Sequence, residues 1–185
     1  MWLVKSEETD SEYGKSPNER TIEELFNSSV IIVDKHEGPT SHQVTAWLRE
    51  IFNIKLAGHS GTLDPAVTGV LPIALNNGTK AMPVLTGLDK EYVGVLHLHK
   101  VIPEDLLRKL ILEKFIGKII QRPPVKSAVA RVEREREIYF FDILEINGKD
   151  VLFKVGCEAG TYIRKLCHDI GQALKVGGHM SELRR

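Results

Sequence analysis

Apolar residues recur along the chain in two rhythms, and the switch between them marks the elements. Thr21-Ile22-Glu23-Glu24 has the spacing of a capping box and opens a short helix. Val30 to Val33 is a compact β-branched run, which predicts a buried strand. Gly38-Pro39-Thr40 turns the chain, and Ser41 is placed to cap the next helix. In that helix Val44, Trp47, Leu48, Ile51 and Phe52 fall at i, i+3, i+4, i+7 and i+8, a stripe expected to be core.

Val70 to Leu75 predicts another buried strand, with Pro72 placing it at an edge or a strand start. Lys90 to Lys100 alternates, putting Tyr92, Gly94, Leu96 and Leu98 on one face of a strand. Pro103 suits the first turn of a helix carrying Leu106, Leu107, Leu110 and Ile111. Arg122-Pro123-Pro124 marks a loop, because proline removes a backbone donor. Ile138 to Ile146 and Val151 to Val155 flank Asn147-Gly148, a hairpin signal. Ile163, Leu166, Cys167, Ile170 and Leu174 form a last amphipathic helix, ended near Gly177-Gly178. Strands and helices mix without a regular βαβ alternation. The expected class is therefore α+β, a mixed, largely antiparallel sheet flanked by helices.

Composition narrows the setting. With 185 residues and 42% hydrophobic positions, the chain can build a core. No apolar run approaches the roughly 20 residues that span a bilayer. Residues 1–20 lack the apolar centre of a signal peptide, so a cytoplasmic protein is expected. Two cysteines, Cys157 and Cys167, suit reduced thiols better than a disulfide scaffold or a zinc ribbon. Net charge is zero, yet Lys118, Arg122, Lys126, Arg131, Arg134 and Arg136 face only Glu133 and Glu135 between residues 118 and 136. That stretch either tracks a phosphate backbone or is a solvated strand and loop.

The densest segment is Gly58-His59-Ser60-Gly61-Thr62-Leu63-Asp64-Pro65-Ala66-Val67-Thr68-Gly69, a tightly specified loop between two strands. Pro65 biases Asp64 toward an extended backbone. A carboxylate held there can serve catalysis, or it can cap its own turn. No Gly-Lys-Ser or Gly-Lys-Thr closes the loop as a phosphate-binding loop would, and Gly61 directly after Ser60 breaks the Gly-x-Ser-x-Gly spacing of a nucleophile elbow. His97 and His99 share a strand face, but no neighbouring carboxylate or cysteine in sequence completes a shell, so no metal is expected.

Gly58 to Pro65, with Thr68-Gly69-Val70-Leu71-Pro72, resembles the signature loop of TruB-type pseudouridine synthases. The likeness is to the dyskerin-like branch, the catalytic subunit of box H/ACA ribonucleoproteins. Further segments resemble that family in order: Asp34-Lys35 with Gly38 to His42, Lys90-Glu91-Tyr92, Arg122 to Val129 as the start of an RNA-gripping thumb, Cys157 to Cys167, and Gly177-Gly178 with Glu182 to Arg185. Tyr13-Gly14-Lys15 with Glu19-Arg20 resembles its N-terminal arm. His36 departs from the usual proline, and Asn76-Asn77-Gly78-Thr79-Lys80 from the common Gly-Asp-Ala-Thr-Lys.

The resemblance implies a pseudouridine synthase fold, with residues 1–24 as an arm and 25–185 as a catalytic domain that is incomplete at its C-terminus and lacks the family's PUA domain. It implies conversion of specific uridines to pseudouridine in rRNA or tRNA, without cofactor or metal. Asp64 would be the nucleophile and Arg164 its charge partner. Tyr92 would stack on the flipped base, and Leu183 would wall the pocket. On pattern alone, Arg164 also reads as helix surface, Tyr92 as sheet packing, and Leu183 as core. His59, Arg122, Lys126, Arg131 and Tyr162 would contact RNA, the cations at phosphates rather than bases. Implied partners are a box H/ACA guide RNA, the substrate RNA and the ribonucleoprotein core proteins, with no membrane. A stand-alone tRNA T-loop synthase and a non-catalytic RNA- or protein-binding scaffold are the competing readings.

Overall fold

The Asn-Gly hairpin and the alternation of Lys90 to Leu98 build the larger of two sheets. In a computed structural model that describes residues 10, 12–123 and 132–185, β4 (Lys90–Leu98), β5 (Gly117–Gln121), β6 (Arg134–Asn147), β7 (Asp150–Cys157) and β8 (Gly178–Arg184) pair in the order β5-β6-β7-β4-β8. The smaller sheet runs β1-β3-β2, from β1 (Val30–Lys35), β2 (Ala57–His59) and β3 (Gly69–Leu75). Every ladder is antiparallel. The two sheets meet at an isolated parallel bridge between Thr68 and Arg184, so "mixed" describes one junction. Helices α1 (Ile22–Asn27), α2 (Ser41–Ile51), α3 (Met82–Gly87), α4 (Glu104–Lys114) and α5 (Ile163–Ala173) flank them. The core is continuous across both sheets, from Leu71, Ile73 and Leu75 to Phe153, Val155, Leu166 and Ile170.

Local chemistry explains most boundaries. Thr21 accepts from the Glu24 amide while the Glu24 carboxylate accepts from the Thr21 amide, a complete capping box. Asn76 takes φ +44°; asparagine tolerates that region, and its side chain also binds Leu56 and Phe26 backbone. The hairpin forms one residue later than its signal, since Asn147 pairs with Asp150 and leaves Gly148, at φ +61°, and Lys149 as the loop.

Several expectations are corrected. Thr40, not Ser41, caps α2; Ser41 is its first residue and is buried. Trp47 is 46% and Ile51 72% exposed, so the α2 stripe is core only at Val44 and, in part, Leu48 and Phe52. β1 is an edge strand with Ile32 turned to solvent rather than a buried one. Pro72 sits in β3, the central strand of its sheet. It is tolerated because it lies just past the end of β2: its carbonyl still accepts from the Ser60 amide, and only the reciprocal donor is lost. Pro103 precedes α4 as its N-cap, and Leu106 faces out. Strand β8 had no signal beyond its closing motif.

Candidate active site

Asp64 lies in the loop between β2 and β3, held from both sides. The neighbouring Leu63 and Val67 are buried, at 3% and 4% exposure, and act as apolar anchors. The Ser41 hydroxyl donates to the Leu63 carbonyl (3.0 Å) and accepts from the Leu63 amide (2.9 Å). Lys35 Nζ donates to the carbonyls of Pro65 (3.1 Å), Val67 (2.8 Å) and His36 (2.8 Å). The Gly38 amide also reaches Pro65, and the Val67 amide closes a turn onto Asp64. Lys35 is 1% exposed, and burial lowers its pKa below the usual lysine value, with Glu37 opposing. The sequence pattern gives Lys35 no role and Ser41 only that of a helix cap. The signal for Lys35 was available, because it shares the inward register of Ile31 and Val33.

Between those anchors the Asp64 side chain is half exposed and ion-paired to Arg164 Nη2, one hundred residues away. Arg164 occupies the first turn of α5, where the helix dipole disfavours a cation and no acidic residue offsets it. Helix stability therefore does not account for this arginine, whereas pairing with Asp64 does. Tyr162 precedes the same helix, and Gln121 of β5 holds it by accepting from its amide (2.9 Å) and donating to its carbonyl (3.2 Å).

Tyr92 is half-buried in β4, and burial raises its phenol pKa, opposed by the charge and hydrogen bond of Arg185. Leu183 is 9% exposed on β8 and packs over Gly94, where an added Cβ would lie 2.8 Å from its Cδ1. The core reading of Leu183 thus holds, while its carbonyl also accepts from Thr68 at the end of the Asp64 loop. His59 ends β2 with its ring edge-on to His42 (centroids 4.7 Å apart), and its buried Nδ1 has no hydrogen-bond partner among the described residues. Burial lowers its pKa, and His42 and Arg185 add to that.

The structure thus joins Asp64 to Arg164, and His59 at the end of β2 leads into the same loop. Arg122 is exposed beyond β5. Lys126 and Arg131 lie outside the described residues. His97 and His99 are met by His179 across the β4–β8 ladder, remote in register from Tyr92. Among the described residues no group of three His, Cys, Asp or Glu is arranged to hold a metal. No helix among them is long and apolar enough to cross a membrane.

The chain is similar to known proteins. The chain is 58% identical over 184 residues to a probable tRNA pseudouridine synthase B of Methanopyrus kandleri, covering 99% of this chain and 54% of that protein. It is 53% identical to the protein of the same name from Pyrococcus furiosus, over 99% and 54%. The chain therefore spans about half the length of the curated relatives it matches. It superposes with TM-score 0.91 and 54% identity on a chain from a Cbf5-Nop10-Gar1 complex, covering 96% of this chain and 54% of that one. An H/ACA ribonucleoprotein bound to a substrate RNA containing 2'-deoxyuridine gives TM-score 0.86 at 50% identity, over 96% and 53%. A DKCLD (NUC011) domain matches residues 1–45, and a tRNA pseudouridylate synthase B C-terminal domain matches 164–185. The N-terminal domain of TruB family pseudouridylate synthases matches 49–163, the span that holds the Asp64 loop and Tyr92, so the chain belongs to the TruB family.

Proposed function

We propose that this chain carries the catalytic centre of an RNA pseudouridine synthase that acts with a box H/ACA guide RNA, with Asp64 as nucleophile. The observation that carries this reading is the Asp64–Arg164 pair: an accessible carboxylate on a braced loop, aimed by a guanidinium that its own helix does not favour. In the reaction the C1′–N1 bond of a uridine breaks and a C1′–C5 bond forms; C5 loses a proton and N1 gains one. The atoms balance with no redox change. A carboxylate that attacks and later departs meets that need. Tyr92 supplies an aromatic face for the extruded base, and Leu183 the apolar wall beneath it. Arg122, Lys126 and Arg131 contact phosphate, and His59 and Tyr162 line the approach. Residues 25–185 form the catalytic unit and 1–24 an arm.

The relatives seen in H/ACA assemblies support guide dependence and partner proteins like theirs, and we take rRNA, with tRNA as a further target, and the cytoplasm as the setting. The relatives' names favour a second reading, action on tRNA without a guide. Pseudouridine formation on a uridine-containing RNA, measured by tritium release with and without guide, separates the two. Product from the wild type and none from Asp64→Asn supports catalysis by Asp64. Equal product from both refutes that role, and no product from either leaves a scaffold as the function.

A further inference from the structure

We infer that Arg185 is a positioning residue that staples the two arms of the Asp64 loop together. The inference rests on Asp64 being the nucleophile. The Arg185 guanidinium donates to the carbonyls of Ser60 (3.4 Å) and Gly61 (3.1 Å) on the incoming arm and of Val70 (2.6 Å, with Nε at 2.8 Å) on the outgoing one. One group therefore spans both ends of the loop that carries the carboxylate.

The surrounding chain is built for this contact. Pro72 has no amide to offer the Ser60 carbonyl across the ladder, and Arg185 supplies a donor instead. At Gly61, with φ +70°, an added Cβ would lie 2.9 Å from Arg185 Nη1; at Gly69, with φ +106°, it would lie 2.3 Å from the Arg185 carbonyl oxygen. Gly69 is thus required by the approach of the Arg185 backbone, and both glycines suit their own backbone angles. Backbone bonds from the Arg185 amide to Thr68 (3.0 Å) and from the Val70 amide to Arg185 (3.1 Å) fix the side chain's origin.

Strand alternation distinguishes Arg185 from its neighbour. Arg184 points outward and pairs with Asp34 at 2.7 Å on the surface. Arg185 points inward onto carbonyls, where charge alone does not suffice. Nη2 reaches all three carbonyls while Nε makes a second bond to Val70, a two-nitrogen hold on one carbonyl that a single ammonium nitrogen cannot reproduce.

The test uses the whole chain with its RNA, comparing wild type, Arg185→Lys and Arg185→Ala. Both variants are expected to lower the single-turnover rate about 100-fold at saturating RNA, with RNA affinity changed less than about threefold. Amide exchange at Leu63 and Val67 should accelerate about tenfold, with the β4–β7 ladder unchanged. Recovery of rate by lysine would overturn the proposal, because charge alone would then be enough. So would weakened RNA binding with an unchanged saturating rate, the mark of a phosphate contact. Should wild type itself form no pseudouridine, the functional reading fails, and amide exchange still decides: unchanged Leu63 and Val67 protection refutes positioning. Arg185→Lys keeps the backbone bridge, so the comparison survives if Arg185→Ala does not fold.

Discussion

Replacing Lys35 with methionine tests how the Asp64 loop is held. Methionine fills nearly the same volume without the ammonium, so packing is kept and three donated hydrogen bonds are lost. Pro65 retains the Gly38 amide at 3.0 Å, which leaves the carbonyls of His36 and Val67 without their lysine donor. His36 is exposed, so its carbonyl can turn to water, whereas the buried Val67 carbonyl left unpaired costs about 1–3 kcal/mol. Removing an ammonium that burial disfavours returns part of this, giving an expected net loss of about 1–2 kcal/mol. Urea unfolding followed by tryptophan fluorescence at neutral pH reads it directly, with the slope unchanged.

The pH dependence supplies a second check. The folded pKa of Lys35 lies below 10.5, so between the two values the unfolded chain binds more protons than the folded one. Relief of the burial penalty on the ammonium therefore adds an increment, beyond the hydrogen bonds present at neutral pH, that is full above pH 10.5 and is lost as pH drops through the folded pKa. Methionine lacks this behaviour, so the stability gap should widen as pH rises toward 10.5. A loss under about 1 kcal/mol, or a gap that narrows with rising pH, would refute the role assigned to Lys35.

Further outcomes follow from the same geometry. Arg164→Ala should change stability by less than about 1 kcal/mol, because the side chains of the pair are 54% and 51% exposed. Pseudouridine formation should nevertheless fall about 100-fold or more, and equal activity would remove Arg164 from the site. Gly69→Ala should cost more than about 3 kcal/mol in urea unfolding, since its Cβ would meet the Arg185 backbone at φ +106°. His59, whose pKa burial lowers from 6.5, contributes stability that is present above that pH and is lost as pH falls toward the folded value. His59→Gln should therefore flatten the acid limb of the stability profile below pH 6.5, and an unchanged limb would rule out His59 as its source. Burial pushes the Cys157 thiol up to about 11 and Cys167 up to about 12, so neither should react with a thiol reagent at about pH 8 until the chain is unfolded.

Much of this architecture was legible from local chemistry alone. Capping at Thr21, the alternation of β4 and the apolar stripe of α5 depend on neighbours within a few residues, and those are visible in a linear string. The α2 stripe misled because periodicity reports which side of a helix is apolar, not how much of it a neighbour covers. Trp47 and Ile51 have the right spacing and still face solvent. β8 escaped notice because Glu182 and Arg184 alternate with Ser181 and Leu183, too polar a run to read as a strand. Its pairing with β4 supplies what its own composition lacks.

By itself the sequence determined the class of fold, the loop that bears Asp64 and, through the order of its motifs, the family to which the chain belongs. Which side chains meet was a matter for the tertiary structure. Asp64 and Arg164 are separated by one hundred residues, and Ser60 and Arg185 by 125. No local preference relates such positions; only the burial of a shared core places their strands and helix together. The same holds for Lys35 and Ser41. They look like polar residues in ordinary places until the fold closes over them and gives their hydrogen bonds to the backbone on either side of Asp64.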